Sequence, residues 1–339
     1  MGKQRILFLD LARGMAIFFM IMQHAFIIYA VDEGHGSFLG DTFVLLGTGP
    51  AAPVFMFIMG VFFLGARDMG AVRLRGLKLI GMGYLLNFFR FTLPSLLAGE
   101  WPASGPSSPL AQFLAIDILQ MAGLSLILMG SLGKMKPWRW LAVSLGIALV
   151  SPLLWRHAPH NYALDILWGN HENVAFPFFP WCIYPLAGMY WGRCLQRAEQ
   201  LPSFLNGSAW IGMGFLAVGG LVWLLVDTTW LPVGDYSRSG AQVHLFILGF
   251  VLVWFRLFYA LGNRVGGSWF ETLMVFWSRH TTTIYVIQWI LVGWGMLVLG
   301  YQEQSPLTAF LAGLALILVT HVAVWKMKGG NALKRGVSA

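Results

Sequence analysis

The amino-acid sequence predicts an all-α protein of the polytopic membrane class, with about ten transmembrane helices. Three observations lead to this fold class. The chain is 58% hydrophobic and only 11% charged, with a mean hydropathy of +0.69, whereas a soluble domain is about 25% charged. Its apolar runs are long enough to cross a bilayer as helices. They also lack the strict alternation of apolar and polar residues that a membrane β-barrel requires.

The predicted spans follow one another with no linker, internal repeat or low-complexity tract. Their approximate bounds are 6–30, 50–66, 76–98, 109–132, 138–156, 174–193, 207–227, 241–260, 281–300 and 306–325. Lys and Arg concentrate in alternate loops, as the positive-inside bias requires, so both termini are predicted to be cytoplasmic. Residues 1–339 are therefore expected to form a single transmembrane domain.

The net charge of +8 follows from this topology and does not indicate nucleic-acid binding. Basic residues at the cytoplasmic face are suited to anionic lipids and to anionic substrates. Membrane lipids are therefore expected partners, and nucleic acid is not.

The first predicted span carries four polar side chains in an otherwise apolar run: Asp10, Arg13, Gln23 and His24. A charge at membrane depth costs at least about 2.5–3.5 kcal/mol, so we expect these residues to be functional. Asp10 and Arg13 are three residues apart, share a helix face and can neutralise each other. Arg13 and His24 are eleven residues apart, which returns them to nearly the same face, roughly 16 Å apart along the axis.

Two later spans repeat the three-residue spacing of polar side chains. Asn87 and Arg90 lie on one face of the third span, and Asp117 and Gln120 lie on one face of the fourth. Asp117 and Gln120 are expected either to pair with Arg90 or Arg13 across helices, or to contribute to substrate binding.

A short amphipathic segment, residues 269–280, precedes the ninth span and is expected to lie on the inner surface of the membrane. Arg279 and His280 then sit at the inner mouth of that span, and Gln288 lies two turns deeper. Cationic groups at this position are candidates for binding the phosphates of a donor substrate.

The outer loop before the sixth span contains a cluster of His and acidic residues: His157, His160, Asp165, His171 and Glu172. Imidazole and carboxylate groups are zinc ligands, but no tight pair on a predicted helix is present, so no metal is expected. The alternatives are plain loop structure and acceptor binding, with Trp168 and Trp181 as stacking surfaces for a sugar.

Arg13-Gly14, the apolar run that follows, His24 and His35 resemble two related families of membrane acyltransferases. In the type-3 acyltransferases, which O-acylate surface sugars, an arginine and a histidine on the first helix have the spacing of Arg13 and His24. In the heparan-α-glucosaminide N-acetyltransferase family, the same arginine-glycine opens the helix and an asparagine usually holds the position of His24. A catalytic histidine of that family lies where His35 stands.

Three later motifs are similar to the second of these families. They are a phenylalanine-rich second span (residues 55–60), a fourth-span motif (residues 116–120), and a proline-aromatic start of a later helix that reaches a glycine (residues 179–188). By motif the resemblance covers about the first 195 residues. The presence of His24 makes the chain look intermediate between the two families.

The resemblance implies transfer of an acetyl or similar acyl group from cytoplasmic acyl-CoA, with acetyl-CoA as the expected donor. The acceptor is an amino sugar or other glycan at the outer side. Acyl transfer needs a base whose pKa is near neutral, and histidine is the natural choice. His24 and His35 are therefore the candidate catalytic residues, as base or as covalent carrier of the acyl group.

The remaining site residues are assigned by the same reasoning. Asp10 and Arg13 shape the donor channel, and Arg279 and His280 complete the donor site. The expected substrate-binding residues are Asp117, Gln120, His171, Glu172 and Trp181.

Two other functions stay open on the sequence. One is O-acylation of a surface glycan. The other is a transporter or flippase without chemistry, because intramembrane ionisable residues also line substrate paths, although the repeat that most transporters show is not found. The expected location is a bacterial inner membrane, since no long luminal domain interrupts the spans, and homo-oligomerisation is left open.

Overall fold

The computed structural model describes residues 6–99, 108–157, 161–170, 172–225 and 236–333. Within these ranges the regular structure is helical, apart from two isolated bridges between single residues, which confirms the all-α class. The α-helices are α1 Leu7–Tyr29, α2 Phe38–Leu46, α3 Ala52–Phe63, α4 Met69–Asn87, α5 Leu93–Ala98, α6 Pro109–Phe113, α7 Ile118–Leu132, α8 Pro137–Arg156, α9 Asp165–Trp168, α10 Phe178–Trp181, α11 Ile183–Arg197, α12 Leu201–Leu225, α13 Ala241–Val265, α14 Trp269–Arg279, α15 Thr281–Leu299 and α16 Pro306–Leu333.

Seven helices of the described chain are long and apolar enough to cross a membrane, which confirms a polytopic membrane protein. They are Leu7–Tyr29, Phe38–Phe63, Pro137–Arg156, Leu201–Val222, Ala241–Val265, Thr281–Leu299 and Pro306–Lys328. The three other predicted spans coincide with α4, α7 and α11. Of these, α4 carries several basic residues, and α7 and α11 have 15 residues each. The number of ten spans therefore stays a prediction.

The second span begins earlier than predicted, and the boundary near residue 50 was wrong. The helix starts at Phe38, after Ser37 caps it by accepting a hydrogen bond from the backbone N–H of Gly40 at 3.0 Å. A π-helical turn at Gly47–Ala51 joins α2 to α3. Prolines at positions 50 and 53 are typical of a helix start and were the reason for the predicted boundary, but the wider turn lets the helix continue through them.

The first helix lies at the centre of the fold, with most of its residues buried. It contacts α2, α3, α13, α14, α15 and α16. A single cluster of buried apolar side chains extends around it, from Phe8 to Val324. The polar residues of α1 therefore face other helices or an internal space.

The C-terminal end of α1 is bound to the loop between α15 and α16. The backbone N–H of Val31 donates to the carbonyl of Gln304 at 2.9 Å, and the N–H of Gln304 donates to the carbonyl of Tyr29 at 2.7 Å. The N–H of Gln302 donates to the carbonyl of Ile28 at 2.9 Å. These bonds fix the position of α1 relative to α15.

Helices α3 and α11 pack closely because each has a glycine at the crossing. A Cβ atom on Gly60 would meet the carbonyl oxygen of Pro185, and one on Gly188 would meet the carbonyl oxygen of Phe57. Small residues at such contacts let two helix backbones approach each other in a membrane protein.

The amphipathic segment before the ninth span forms the separate helix α14. Ser268 caps its start by accepting from the N–H of Glu271 at 3.2 Å. Its middle packs on α1, where Gly14 leaves space for Met274. Trp269 at its start is 76% exposed.

Candidate active site

A cavity of about 380 Å³ lies beside the C-terminal half of α1. Its walls come from α1, the π-helical turn and α3, the π-helical turn at Phe88–Thr92, the start of α7, the segment before α10, and α15. His24 lines this cavity, whereas Arg13 and His35 do not. The lining is mainly apolar and aromatic, with a small number of polar groups, as is typical of small-molecule sites.

The imidazole of His24 is held by two residues of α15. Its Nδ1 lies 3.1 Å from Oε1 of Gln288. Its ring lies over the indole of Trp289, with centroids 4.1 Å apart and an angle of 33° between the planes. Tyr285 meets the imidazole edge-on at 6.5 Å. The histidine ring is therefore fixed in orientation while part of it remains open to the cavity.

A buried ion pair lies in the same wall of the cavity. Nη1 of Arg90 is 2.6 Å from Oδ2 of Asp117, and Nη2 of Arg90 donates to Oδ1 of Asn87 at 2.9 Å. The guanidinium lies over the ring of Trp289, 4.4 Å from its centroid, and 4.6 Å from that of Phe91. Trp289 thus contacts both the histidine and the arginine, which joins the ion pair to His24.

Of the two arginines predicted to pair with Asp117, Arg90 is the one that it contacts. Asp117 also caps α7. Its Oδ1 accepts from the N–H of Ile118 at 2.7 Å, and Oε1 of Gln120 accepts from the N–H of Asp117 at 3.3 Å, which completes a capping box. Asp117 lines the cavity and Gln120 does not. Their proposed contact with substrate is untested.

Asp10 and Arg13 meet the end of α14 at the other end of α1. The hydroxyl of Ser278 donates to Oδ1 of Asp10 at 2.5 Å. Nη1 of Arg13 approaches the carbonyl oxygen of Ser278 at 3.5 Å, and its guanidinium lies 5.1 Å from the centroid of Phe62. A cation is favourable here because a helix end carries partial negative charge.

Arg279 and His280 follow Ser278 directly, so the four predicted donor-site residues lie in one region. The side chain of Arg279 is exposed, and the ring of His280 packs edge-on against Phe276 at 4.8 Å. Burial lowers the pKa of His280, and the positive charges of Lys328 and Arg279 lower it further. These surroundings therefore favour the neutral form of the His280 ring.

His35 lies apart from this cavity, in the loop after α1. Its side chain is 61% exposed, with Nδ1 3.5 Å from Oδ1 of Asp41 and Nε2 3.8 Å from Oε2 of Glu33. The two candidate histidines are therefore in different surroundings, one enclosed and one at the surface.

The predicted acceptor-binding residues of the outer loop are separated by the fold. Glu172 and its neighbour Asn173 line the cavity. Trp181 does not line it and is 0% exposed, with Nε1 donating to the carbonyl of Ser237 at 2.9 Å. His171 lies outside the described residues. No group of three His, Cys, Asp or Glu residues suited to a metal ion is found in the described part of the chain.

A second cavity, of about 400 Å³, lies between α1, α14 and α16. Its lining is apolar except for His321, which accepts a hydrogen bond at Nδ1 from Nε1 of Trp277 at 3.1 Å. It shares no lining residue with the cavity at His24.

Sequence reasoning missed Tyr285 and Trp289 as cavity residues and Ser278 as the partner of Asp10. It noted Gln288 for its depth and did not connect it to His24. The only signal in the sequence was the amide of Gln288 inside an apolar span. The pairing itself joins residues 264 positions apart, and no local pattern predicts it.

Comparison with known protein families finds one match. The family described as heparan-alpha-glucosaminide N-acetyltransferase, catalytic, matches residues 5–226, well over half of the chain. The matched region includes His24, His35, Arg90 and Asp117 and ends before α13. No protein of curated function is found to match.

Proposed function

Because the chain belongs to the heparan-alpha-glucosaminide N-acetyltransferase catalytic family, we propose that it is a transmembrane acyltransferase that uses acyl-CoA. The donor is acetyl-CoA or a similar thioester bound from the cytoplasmic side. The acceptor is an amino sugar or glycan that enters from the outer side. The family supports membrane acetyl transfer in general, and the donor, the acceptor and the residue roles are our proposals.

The observation that carries this proposal is the position of His24 in the wall of the cavity. The cavity is of small-molecule size, and the imidazole is held by Gln288 and Trp289 without being covered. Among the described residues, Nδ1 is the ring nitrogen of His24 with a hydrogen-bond partner, so Nε2 is left for a substrate. A general base needs a nitrogen within hydrogen-bond reach of the nucleophile.

The proposed reaction transfers one acyl group and one proton. The acceptor amine attacks the thioester carbonyl carbon, the new C–N bond forms, and the C–S bond breaks. Nε2 of His24 takes the proton that the amine loses and returns it to the leaving thiolate, so that free CoA leaves as a thiol. The Arg90–Asp117 pair carries no net charge and keeps the polarity of this wall fixed during the reaction.

The proposed donor site lies at the inner end of α1, near Asp10, Arg13, Arg279 and His280. The guanidinium groups of Arg13 and Arg279 suit the phosphates of CoA, and the hydrogen bond of Ser278 to Asp10 holds α14 in position beside them. Thioester delivery requires the pantetheine arm to extend from this region toward His24, about 16 Å along the helix axis from Arg13.

His35 keeps a role in this proposal through its family position, as a second base or as an acyl carrier. Its loop at the mouth of α1 suits acceptor entry, and the carboxylates of Glu33 and Asp41 near it suit an acceptor that carries an ammonium group. Direct transfer and an acyl-histidine intermediate predict different products in the test below.

The test is release of CoA thiol from acetyl-CoA by the purified protein, with glucosamine as acceptor. His24→Asn is the informative variant, because asparagine is the usual residue of the resembled family at this position. We expect its rate to fall about 10²- to 10⁴-fold, the usual contribution of a general base. His157→Ala removes an exposed loop histidine and serves as the matched control, with an unchanged rate.

Three results would change the assignment. Full activity in His24→Asn with loss in His35→Ala moves the base to His35. Acceptor-independent release with label retained on the protein indicates an acyl-histidine intermediate. Failure of the wild-type protein to bind acetyl-CoA rejects the acyltransferase and favours the transporter alternative.

O-acylation remains the second candidate because the spacing of Arg13 and His24 is that of the O-acylating family and His24 lines the cavity. The same assay with an N-blocked sugar separates the two reactions. Thiol release with N-acetylglucosamine, which has hydroxyl groups but no free amine, would identify a hydroxyl as the acceptor.

A further inference from the structure

The side chain of Gln288 makes two hydrogen bonds, one through its amide nitrogen as donor and one through its amide oxygen as acceptor. Its Nε2 donates to the backbone carbonyl of Tyr285 at 3.3 Å. Its Oε1 lies 3.1 Å from Nδ1 of His24. The side chain is 0% exposed, so water does not compete for either bond.

The carbonyl oxygen of Tyr285 fixes which way the amide of Gln288 points. A carbonyl oxygen only accepts, so the group that faces it must be the NH₂. The reversed amide would bring two acceptors together and leave the amide oxygen buried without a donor, at a cost of about 1–3 kcal/mol. The oxygen of the amide therefore faces His24.

An amide oxygen only accepts, so the ring nitrogen that faces it must carry the proton. In a neutral imidazole one nitrogen carries the proton and the other has a free lone pair. We propose that Gln288 is a positioning residue that holds His24 as the Nδ1–H tautomer and leaves Nε2 as the basic nitrogen. For its effect on rate, this inference rests on the proposed function.

Trp289 supports the same arrangement from the face of the ring. Its indole lies 4.1 Å from the imidazole centroid, and the guanidinium of Arg90 lies over the same indole. Rotation of the imidazole by 180° would move Nδ1 away from Gln288 and carbon toward it. The combination of an oriented acceptor and a stacking surface selects one tautomer and one ring orientation.

The other charged and titratable groups around His24 bear on its pH behaviour. Arg90 and Asp117 face it as a close pair, Tyr285 approaches from α15, and Glu172 lines the cavity from the outer loop. None of these groups is hydrogen-bonded to the imidazole among the described residues. Gln288 is therefore the residue whose change should affect the tautomer.

The first experiment identifies the tautomer of His24 by ¹⁵N NMR and does not depend on enzyme activity. Protein labelled with ¹⁵N-histidine is reconstituted in nanodiscs at pH 7.5, and His24 is assigned by comparison with His24→Asn. We expect a protonated Nδ1 and an unprotonated Nε2. A protonated Nε2 in the wild-type protein would overturn the inference.

The second experiment compares two substitutions of Gln288 with a matched control on the same helix. Gln288→Met keeps the length of the side chain without the acceptor, and we expect mixed tautomers and a kcat about 10- to 100-fold lower, as for other residues that orient a reactive group. Gln288→Glu keeps an acceptor for Nδ1–H, so it should retain the tautomer and shift the acidic limb of the kcat/KM profile to higher pH. Trp294→Phe removes a hydrogen bond from α15 to the carbonyl of Phe89 and should change neither the tautomer of His24 nor kcat.

The outcomes separate this inference from the proposed function. An unchanged tautomer in Gln288→Met rejects the positioning role, whatever the rate. A wild-type protein that has the Nδ1–H tautomer, loses it in Gln288→Met and transfers no acyl group supports the positioning role and rejects the acyltransferase. Identical loss of folded protein in Gln288→Met and Gln288→Glu would also reject the inference, since a purely structural role predicts that result.

Discussion

At the scale of single residues, Trp289 connects the two polar parts of the cavity wall. Its ring contacts the imidazole of His24 and the guanidinium of Arg90. A guanidinium over an indole is attracted by the ring electrons, by up to about 2 kcal/mol when both are away from water. The position of the ion pair and that of the histidine therefore depend on one side chain.

Replacing one partner of the Arg90–Asp117 pair should lower the stability of the protein more than replacing both partners. Arg90→Met leaves a buried carboxylate without its cation, and we expect a loss of about 3–5 kcal/mol of stability. Asp117→Asn leaves the arginine unpaired but retains a capping side chain for α7. The double variant should recover part of the loss, because no buried charge is left unpaired. Unfolding of the four proteins in mixed micelles measures the coupling.

A sum of the two single losses equal to that of the double variant would show that the pair has no coupling energy. Asn87, which accepts from Arg90, would then be the more important partner of the guanidinium.

Binding of CoA should depend on pH through His280. Its pKa in the free protein is lowered by burial and by the charges of Lys328 and Arg279. A phosphate beside the ring would favour the protonated form and raise this pKa. Affinity should therefore increase as the pH falls from 7.5 to 6.0, with uptake of a proton. Calorimetric titration with CoA at both pH values measures this change in affinity for the wild-type protein and for His280→Asn.

The phosphates of CoA titrate in the same range, so the pH dependence of the variant gives the contribution of the ligand alone. Equal pH dependence in both proteins would remove His280 from the donor site.

At the scale of helices, α3 and α11 cross in close contact at two glycines, Gly60 and Gly188. Gly60→Ala adds a Cβ against the carbonyl of Pro185, and we expect a loss of about 1–3 kcal/mol from overpacking. Gly81→Ala is the matched control on α4, where nothing lies within 4 Å of the added atom, and it should stabilise the helix by up to about 1 kcal/mol. Thermal unfolding in detergent compares the two. Equal midpoints would mean that the α3–α11 contact adjusts freely.

Sequence patterns predicted the helices well and their partners poorly. The apolar length of α1 and its polar residues indicated His24 and the region of Asp10 and Arg13. Arg90 was one of two predicted partners of Asp117, and it is the one that the structure shows. The predicted start of the second span near residue 50 was wrong, because a π-helical turn inside a helix cannot be recognised in the hydropathy pattern.

The site required contacts that composition does not encode. In the sequence, Gln288 cannot be distinguished from any other amide in an apolar span. Its contact with His24 depends on the packing of α15 against α1. Trp181 resembled a sugar-stacking surface from its position after a loop, yet it is buried. Its ring packs against Phe176, Tyr184 and His244.

At the scale of the whole molecule, the number of spans decides where the termini lie. Ten spans bring both termini to the cytoplasmic side, whereas the seven helices that satisfy length and composition alone would leave them on opposite sides. We expect reporter fusions at both termini to give the cytoplasmic signal, because the basic loops favour that orientation. Opposite signals would mean that an odd number of segments crosses the membrane.

The bond between His24 and Gln288 joins residues 264 positions apart, and this separation has a consequence for synthesis. At about 5–20 residues per second, roughly 13–53 s pass between translation of the histidine and translation of its partner. During that interval the first helix is in the bilayer, and His24, Asp10 and Arg13 do not yet have their contacts with α14 and α15. The nascent chain therefore has a period in which these polar groups lack their later partners, and a chain truncated before α15 would lack Tyr285, Gln288 and Trp289 of the site.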